Sequence, residues 1–403
     1  MPRKKADGTE VEQVADDLIA GLDSALNEIK GLDLADADAD VPCVSTGIDL
    51  LDEVLGGGIP IGKLCSMTGS PGAGKSTAAV QYIVGFQKAN PKSIGVYIDI
   101  EQAISMKRLV ELGCDPHRTK LISKNVTMEE VNSILNGIMT YKITNKMRDV
   151  PYIVIWDSES VTPTKKSLEV TEPSKVMGEH SRTLAFILNQ IVPYLAKANV
   201  TLVIISQLRE NIKQSQYEVK FELPMGSSQK ITGGSAMQYF PFNMCRTRNR
   251  GDLDYDMMGI RGFKTEMVFI KNKNFAPKIP VQIVLDYATG YSDFWTKENL
   301  IRDRKGFTSG SKTSLVNYKD FKFSRRDIKK LYDTDETFRE KFEELYTKYK
   351  GEIQTNNPWD PKLQIKQPKE TESDLPEEDA DILAGLSSIG SSEPTEDLNL
   401  DNL

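Results

Sequence analysis

Eight consecutive residues, Gly69-Ser70-Pro71-Gly72-Ala73-Gly74-Lys75-Ser76, followed by Thr77, satisfy the pattern G-x-x-x-x-G-K-[ST]. The chemistry this string supports is the cradling of a nucleoside triphosphate. Its glycines let the chain wrap a pyrophosphate with backbone N–H groups. Lys75 would bridge the β- and γ-phosphates, and the Ser76 hydroxyl would ligate Mg²⁺. Such a loop needs a carboxylate at the end of a neighbouring strand. Tyr152-Ile-Val-Ile-Trp-Asp157 ends in one, suited to holding the Mg²⁺ shell through water. A water nucleophile also needs a base, and Ile94-Gly-Val-Tyr-Ile-Asp99-Ile-Glu101 ends in two carboxylates spaced to share a face. Glu101 lies further out and is the better candidate general base. Asp99 would serve structure or metal.

The elements that must position these groups read as alternating strands and helices from about 42 to 290. Candidate strands are Leu64–Thr68, Ile94–Ile100, Tyr152–Trp156, Thr201–Ile205, Met267–Ile270 and Val281–Leu285. A helical stretch from Ala78 to Gln87 follows the glycine-rich loop. Long helical stretches separate the first four strands, which predicts an α/β fold around a mostly parallel sheet. Residues 291–351 predict a small α+β lobe: a turn at Gly306 to Ser311, a helix near 325–332, and a final helix. That last helix would carry Phe338, Phe342, Leu345 and Tyr349 on one face and stop at Gly351. Ahead of the core, Val11, Val14, Leu18, Leu22, Leu26 and Ile29 have helical spacing, and the acidic run Asp36–Asp40 reads as a linker, so 1–41 stands apart. Residues 352–403 lack periodicity and read as a disordered acidic tail.

The formal net charge is −7, but it is sorted along the chain. Residues 1–41 hold four basic and eleven acidic side chains, and 370–403 hold eleven acidic and no basic ones, which leaves +11 on 42–369. A polyanionic partner for the core is therefore compatible with the acidic total. No apolar run approaches a membrane span. The start, Met1-Pro-Arg-Lys-Lys, lacks the apolar stretch of a secretory signal. Cys43, Cys65, Cys114 and Cys245 form no C-x-x-C pair, which argues against zinc knuckles and a disulfide framework and fits a reducing, cytoplasmic setting.

Taken in order, these pieces resemble the RecA family of recombinases. Val44-Ser-Thr-Gly47-Ile-Asp-Leu-Leu51, with Leu55-Gly-Gly-Gly58 behind it, is shared by the whole RecA-like ATPase class. Tyr97-Ile-Asp-Ile-Glu101 is similar to the segment bearing the family's catalytic glutamate, with Leu112-Gly-Cys-Asp115 at the family spacing. Ile204-Ile-Ser-Gln207-Leu-Arg209, Thr232-Gly233-Gly234 and Lys271-Asn-Lys273-Asn-Phe-Ala-Pro277 complete the set, so the resemblance covers about 40–350. The adenine-stacking tyrosine of the bacterial pattern is replaced by Arg108, whose guanidinium can stack on a purine face.

The resemblance implies a RecA-like P-loop NTPase core with an N-terminal helix and a small C-terminal lobe. It implies a DNA-dependent ATPase that takes ATP and Mg²⁺ and forms a helical homo-oligomer on single-stranded DNA. Such a filament pairs its strand with a homologous duplex in recombination and repair. Gln207 would sense the γ-phosphate, and Lys271 and Lys273 would reach ATP on the adjacent protomer. One DNA loop would lie between Thr162 and Glu179, with Lys165, Lys166, Lys175, Met177, Gly178 and Arg182. The second, from about 208 to 232, would carry Arg209, Lys213, Lys220 and Lys230, closed by Gly233 and Gly234. Lysines and arginines there would neutralise phosphates without sequence preference. Tyr217 and Phe221 would stack on bases or pack within the loop. The N-terminal helix would dock on a neighbouring protomer or pack on its own chain, and the tail would compete with DNA or act as solvation. Single-strand-binding and mediator proteins are further candidate partners. The second loop, several residues longer than the bacterial pattern, favours a phage-encoded version in a bacterial cytoplasm. A RecA-like hexameric helicase and a RadA- or KaiC-type regulatory ATPase are the alternatives.

Overall fold

Fully apolar strands need cover on both faces, and connecting helices supply it. The computed structural model describes residues 40–170, 178–210, 229–231, 233–306, 308–309, 315–318 and 321–355. The expected helix over 11–29 and the acidic run 370–403 lie outside the described residues. The chain enters at β1 (Cys43–Val44), passes through α1 (Asp49–Leu55) and returns as β2 (Ile59–Pro60), antiparallel to β1. β3 (Leu64–Gly69) is buried along its whole length and leads into α2 (Lys75–Ala89). β4 (Ile94–Asp99), α3 (Met106–Glu111), β5 (Thr119–Ser123), α4 (Met128–Thr144) and β6 (Tyr152–Asp157) follow. A 3-10 turn (Glu159–Val161), the short α5 (Lys165–Glu169) and the long α6 (Glu179–Ala198) then lead to β7 (Val200–Glu210).

Strand alternation sorts the core into two layers. Cys65, Met67, Tyr97, Ile153, Ile155, Val203 and Ile205 face α2 and α1. Leu64, Val96, Ile98, Val154, Trp156, Leu202 and Ile204 face α4 and α6. α4 starts at a reciprocal cap, in which Thr127 Oγ1 accepts from the Glu130 N–H and the Glu130 carboxylate accepts from the Thr127 N–H.

The second half widens the sheet. β8 (Gln229–Ile231), α7 (Ala236–Tyr239), β9 (Asn243–Asp252), α8 (Tyr255–Met258), β10 (Gly262–Lys271), β11 (Pro280–Asp286) and β12 (Gly290–Tyr291) give the order β12-β11-β10-β9-β3-β7-β6-β4-β5. The strands from β5 to β9 in that order run parallel, and β10, β11 and β12 are antiparallel. The mostly parallel α/β expectation holds. Four strands of this sheet lie outside the expected set: the edge strand β5, β9 with Arg246, Arg248 and Arg250 at alternate positions, the short β8, and the two-residue β12. The stem of the expected loop 208–232 is also ordered, because β7 runs on to Glu210 and pairs with β8 (Leu208 with Ile231, Arg209 with Lys230).

Past β12, α9 (Asp293–Asp303), the small sheet β13-β14-β15 (Thr308–Ser309, Leu315–Tyr318, Phe321–Ser324), α10 (Ile328–Thr334) and α11 (Glu336–Thr355) gather around Phe294, Trp295, Phe323, Phe338, Phe342 and Tyr346. The helix expected at 325–332 divides into a 3-10 turn (Arg325–Asp327) and α10, which runs to Thr334. Glu298 is fully buried within this lobe and accepts from Arg325 Nε (3.0 Å) and Nη2 (2.9 Å) and from Arg302 Nε (2.7 Å). Gly351 does not stop the last helix. Tyr346 Oη and Lys350 Nζ donate to Asp49 at 2.6 and 2.8 Å, and Ile353 packs on the core, holding the turns on either side. Those tertiary contacts outweigh the roughly 1 kcal/mol penalty of a helical glycine.

Candidate active site

Parallel strands bring their carboxyl ends to one edge, where open α/β sheets hold their ligands. β3 lies between β7 and β9, with Gly69 in register with Gln207 and Thr247. The chain turns through Ser70–Ala73, and α2 starts at Lys75 behind Gly74, whose φ is +83°. A Cβ at Gly74 would collide with the Tyr291 hydroxyl, so both the turn and the packing demand glycine. Lys75 Nζ donates to the carbonyls of Gly69 (3.0 Å) and Ser70 (2.8 Å). Burial holds its pKa below the usual lysine value, opposed by the charges of Asp157 and Glu101.

Asp157 stands two strands away and is reached from α2. Its Oδ2 accepts from Ser76 Oγ at 2.6 Å and from Tyr97 Oη at 2.5 Å. Burial raises the Asp157 pKa, the two hydroxyl donors oppose that, and Glu101 and Asp99 push the same way as burial. A hydroxyl and a carboxylate at this separation are the hard oxygen donors that Mg²⁺ takes alongside substrate phosphates, so the pair fits that ion. Asp99, in register with Asp157, instead turns its Oδ2 to the Ile104 N–H (3.0 Å), which gives it a structural partner.

Glu101 lies just past the end of β4. Its Oε1 accepts from Ser158 Oγ (2.9 Å) and Gln207 Nε2 (3.0 Å), and the Gln207 N–H donates to Ser160 Oγ (2.8 Å). Glu101 and Gln207 open onto a 580 Å³ cleft with Ile100, Asn125, Val126, Thr127, Val161, Pro163 and Leu168 on its walls. Sequence reasoning missed Tyr97, Ser158 and Ser160. Strand register could have pointed to Tyr97, two residues before Asp99 on the strand beside Asp157.

A separate 260 Å³ recess runs beside Gly72–Thr77, walled by Arg108, Phe263, Leu285 and Tyr287. Arg108 is not free to swing over it: Nη2 donates to the Tyr287 carbonyl (2.7 Å), and Nη1 to the Ala288 carbonyl and Glu111 (both 3.2 Å). The exposed Tyr287 ring is an aromatic wall that the sequence reading did not single out.

Lys271 and Lys273 are not brought to the phosphate loop of their own chain. Antiparallel β10 carries them to the opposite, amino edge of the sheet, where Lys271 pairs with Met244. There Lys271 Nζ donates to the carbonyls of Tyr239 (2.6 Å) and Gln238 (3.1 Å), while Lys273 lies 5.8 Å from the Phe242 ring. Burial, then Lys273, lowers the Lys271 pKa.

Of the candidate DNA-contacting residues, Lys165 and Lys166 begin α5, and Lys166 pairs with Glu179 at 3.3 Å. Gly178 caps α6, and Arg182 Nε donates to its carbonyl at 3.4 Å. Arg209 and Lys230 are cross-strand partners in β7 and β8. Gly233 and Gly234 both have positive φ. Lys175, Met177, Lys213, Tyr217, Lys220 and Phe221 lie outside the described residues.

A family model for the RecA N-terminal domain matches residues 23–292, well over half of the chain. The chain belongs to the RecA family. Among curated relatives it is similar to Protein RecA of Mycoplasma pneumoniae, 28% identical over 255 residues that span 62% of this chain and 70% of that one. It is likewise similar to Protein RecA of Chloroherpeton thalassium, 28% identical over 302 residues, 72% of this chain and 79% of the other. The RecA match begins ahead of residue 42, where sequence reasoning found no family-like segment. That stretch carries helical apolar spacing and no distinctive motif. The match ends at 292, just before α9. Among the described residues no helix is long and apolar enough to cross a membrane.

Proposed function

We propose that this RecA-family chain is an ATP-dependent recombinase that polymerises on single-stranded DNA and promotes pairing and strand exchange with a homologous duplex. The observation that carries this reading is the convergence of Lys75, the Ser76–Asp157 pair and the Glu101–Gln207 pair on one sheet edge. Lys75 and the amides of the loop would hold the β- and γ-phosphates of ATP. Ser76 and Asp157 would hold Mg²⁺, which neutralises phosphate charge when bound. Glu101, oriented by Ser158 and Gln207, would accept the proton of the attacking water. Gln207 lies on the strand that continues into 208–232, so the group beside the base is joined by backbone to a proposed DNA loop. Lys271 and Lys273 would complete the site of an adjacent protomer, with residues 1–41 helping to dock the two. The proposed division is 42–290 for the ATPase core and its DNA loops, 291–351 for the lobe and 352–403 for the tail, with the lobe's last helix carried on to Thr355. No observation favours a helicase or a regulatory ATPase.

The test is ATP hydrolysis with and without single-stranded DNA. Stimulation that Lys75→Ala and Glu101→Gln both abolish is expected. Hydrolysis indifferent to DNA would sink the reading. Strand exchange between a circular single strand and a linear duplex then separates a recombinase from a helicase.

A further inference from the structure

Glu159 is a carboxylate with no solvent exposure, two residues beyond Asp157, and the chemistry above makes no use of it. Its Oε1 accepts from Ser206 Oγ at 2.9 Å and from Ser160 Oγ at 3.4 Å. On its other side His180 Nε2 lies 3.4 Å from Oε2 and 2.9 Å from the Glu159 main-chain carbonyl. A carbonyl only accepts, so Nε2 carries a proton. Gly233 closes the remaining side: a Cβ there would sit 3.1 Å from Glu159 Oε1, 2.6 Å from Met237 Cγ and 2.7 Å from Leu184 Cδ2.

These neighbours belong to four chain segments. Glu159 opens the stretch that leads into 162–179, and His180 stands just beyond its end. Ser206 immediately precedes Gln207 at the start of the 208–232 stretch, and Gly233 immediately follows it. One buried side chain thus touches the stems of both proposed DNA loops. From it a continuous path runs to the base: Ser160 Oγ accepts from the Gln207 N–H, and Gln207 Nε2 donates to Glu101. A buried carboxyl group is tolerated only with such partners, and removing one leaves the rest unsatisfied.

We infer that Glu159 is a positioning residue that, through His180, Ser206 and Ser160, couples the stems of the two loops to the Gln207–Glu101 pair. The inference rests on the reading of 162–179 and 208–232 as DNA loops. DNA on the loops biases the path at His180 and Gly233, and the bias reaches Glu101 through Gln207. Glu159→Gln keeps size but has one acceptor oxygen for two sides: facing His180 it withdraws the acceptor from Ser206 and Ser160, and facing the serines it sets an amide N–H₂ against the His180 N–H.

ATP hydrolysis by the full chain is measured with and without single-stranded DNA for native, Glu159→Gln, His180→Ala and the double variant. Each single variant should keep its DNA-free rate and half-saturating ATP concentration within about two-fold while DNA stimulation falls about ten-fold, the scale of one charge-assisted hydrogen bond. The double variant should be no worse than the weaker single, since both break one path. Stimulation within two-fold of native, or an equal fall in both rates, overturns the inference. A native chain that DNA does not stimulate refutes the recombinase reading instead. Hydrogen exchange of 178–184 and 229–240 on adding a non-hydrolysable ATP analogue then judges the coupling. Protection should change in the native chain and not in Glu159→Gln; no change in native, or the same change in both, overturns it.

Discussion

Replacing Glu101 by glutamine should separate ATP binding from ATP hydrolysis. Glutamine keeps the Oε1 acceptor that Ser158 and Gln207 hold at 2.9 and 3.0 Å, so the side chain stays in place and only its charge and basicity are lost. Loss of a positioned general base slows a reaction by about 10²- to 10⁴-fold, or about 3–5 kcal/mol of barrier. Binding should respond in the opposite sense. Glu101 is a negative charge that raises the Asp157 pKa, and removing it lets Asp157 ionise more readily beside Ser76. It also removes repulsion toward a triphosphate, at the cost of a minor favourable influence on Lys75. Half-saturating ATP, read by titration with a fluorescent ATP analogue, should therefore stay level or fall while turnover under single-turnover conditions drops. ATP affinity that weakens in step with turnover would refute the reasoning, because Glu101 would then be a binding group. Turnover within ten-fold of native would remove it as the base.

Other outcomes follow from the same geometry. Arg108→Ala frees the turn after β11, and losing its carbonyl bonds, about 1 kcal/mol, should raise half-saturating ATP about five-fold with saturated turnover unchanged. In the C-terminal lobe, Arg325→Met leaves Glu298 buried with one partner fewer and should cost about 3–5 kcal/mol. Arg302→Met removes a more exposed partner of the same carboxylate and should cost less than Arg325→Met, and calorimetry on both ranks them. Lys142 is fully buried against the carbonyls of Val150 and Asn199, and burial pushes its pKa down to about 8, against the opposing charge of Asp149. Between about pH 8 and the ordinary lysine value of 10.5 the unfolded chain binds more protons than the folded one, so stability should rise with pH across that window. Denaturation of Lys142→Met should lack this rise.

Groups carried by one contiguous string are legible in the sequence. Gly69–Thr77, Asp157 and Glu101 each stand at the end of an apolar run, and an apolar run is what a doubly covered parallel strand requires. Partners that depend on register between strands are not. Tyr97 reads as strand core until β4 is laid beside β6 and its hydroxyl falls on Asp157. Ser158 and Ser160 look like loop polarity until β7 brings Gln207 alongside. β9 is hidden by Arg246, Arg248 and Arg250, since charge interrupts the alternation by which a strand is recognised. Gly351 misleads for a different reason: a local stop signal of about 1 kcal/mol is weaker than the contacts of Lys350 and Ile353.

The phosphate loop and the Lys271–Lys273 pair occupy opposite edges of one sheet. Two copies related by a two-fold axis present the same patch to each other, and opposite edges do not share one patch, so a contact joining them repeats head to tail. With the two lysines completing a neighbour's site as proposed, assembly is heterologous, and it is open-ended where it forms the proposed helical filament. A run of subunits then always holds one complete site fewer than its number of chains, with an unfinished site at one end. Activity per chain should climb with chain concentration and level off as runs lengthen. Each Lys271→Ala/Lys273→Ala chain should end a run on its lysine side and leave one neighbour's site unfinished, so the sites lost should track the variant's share of the mixture.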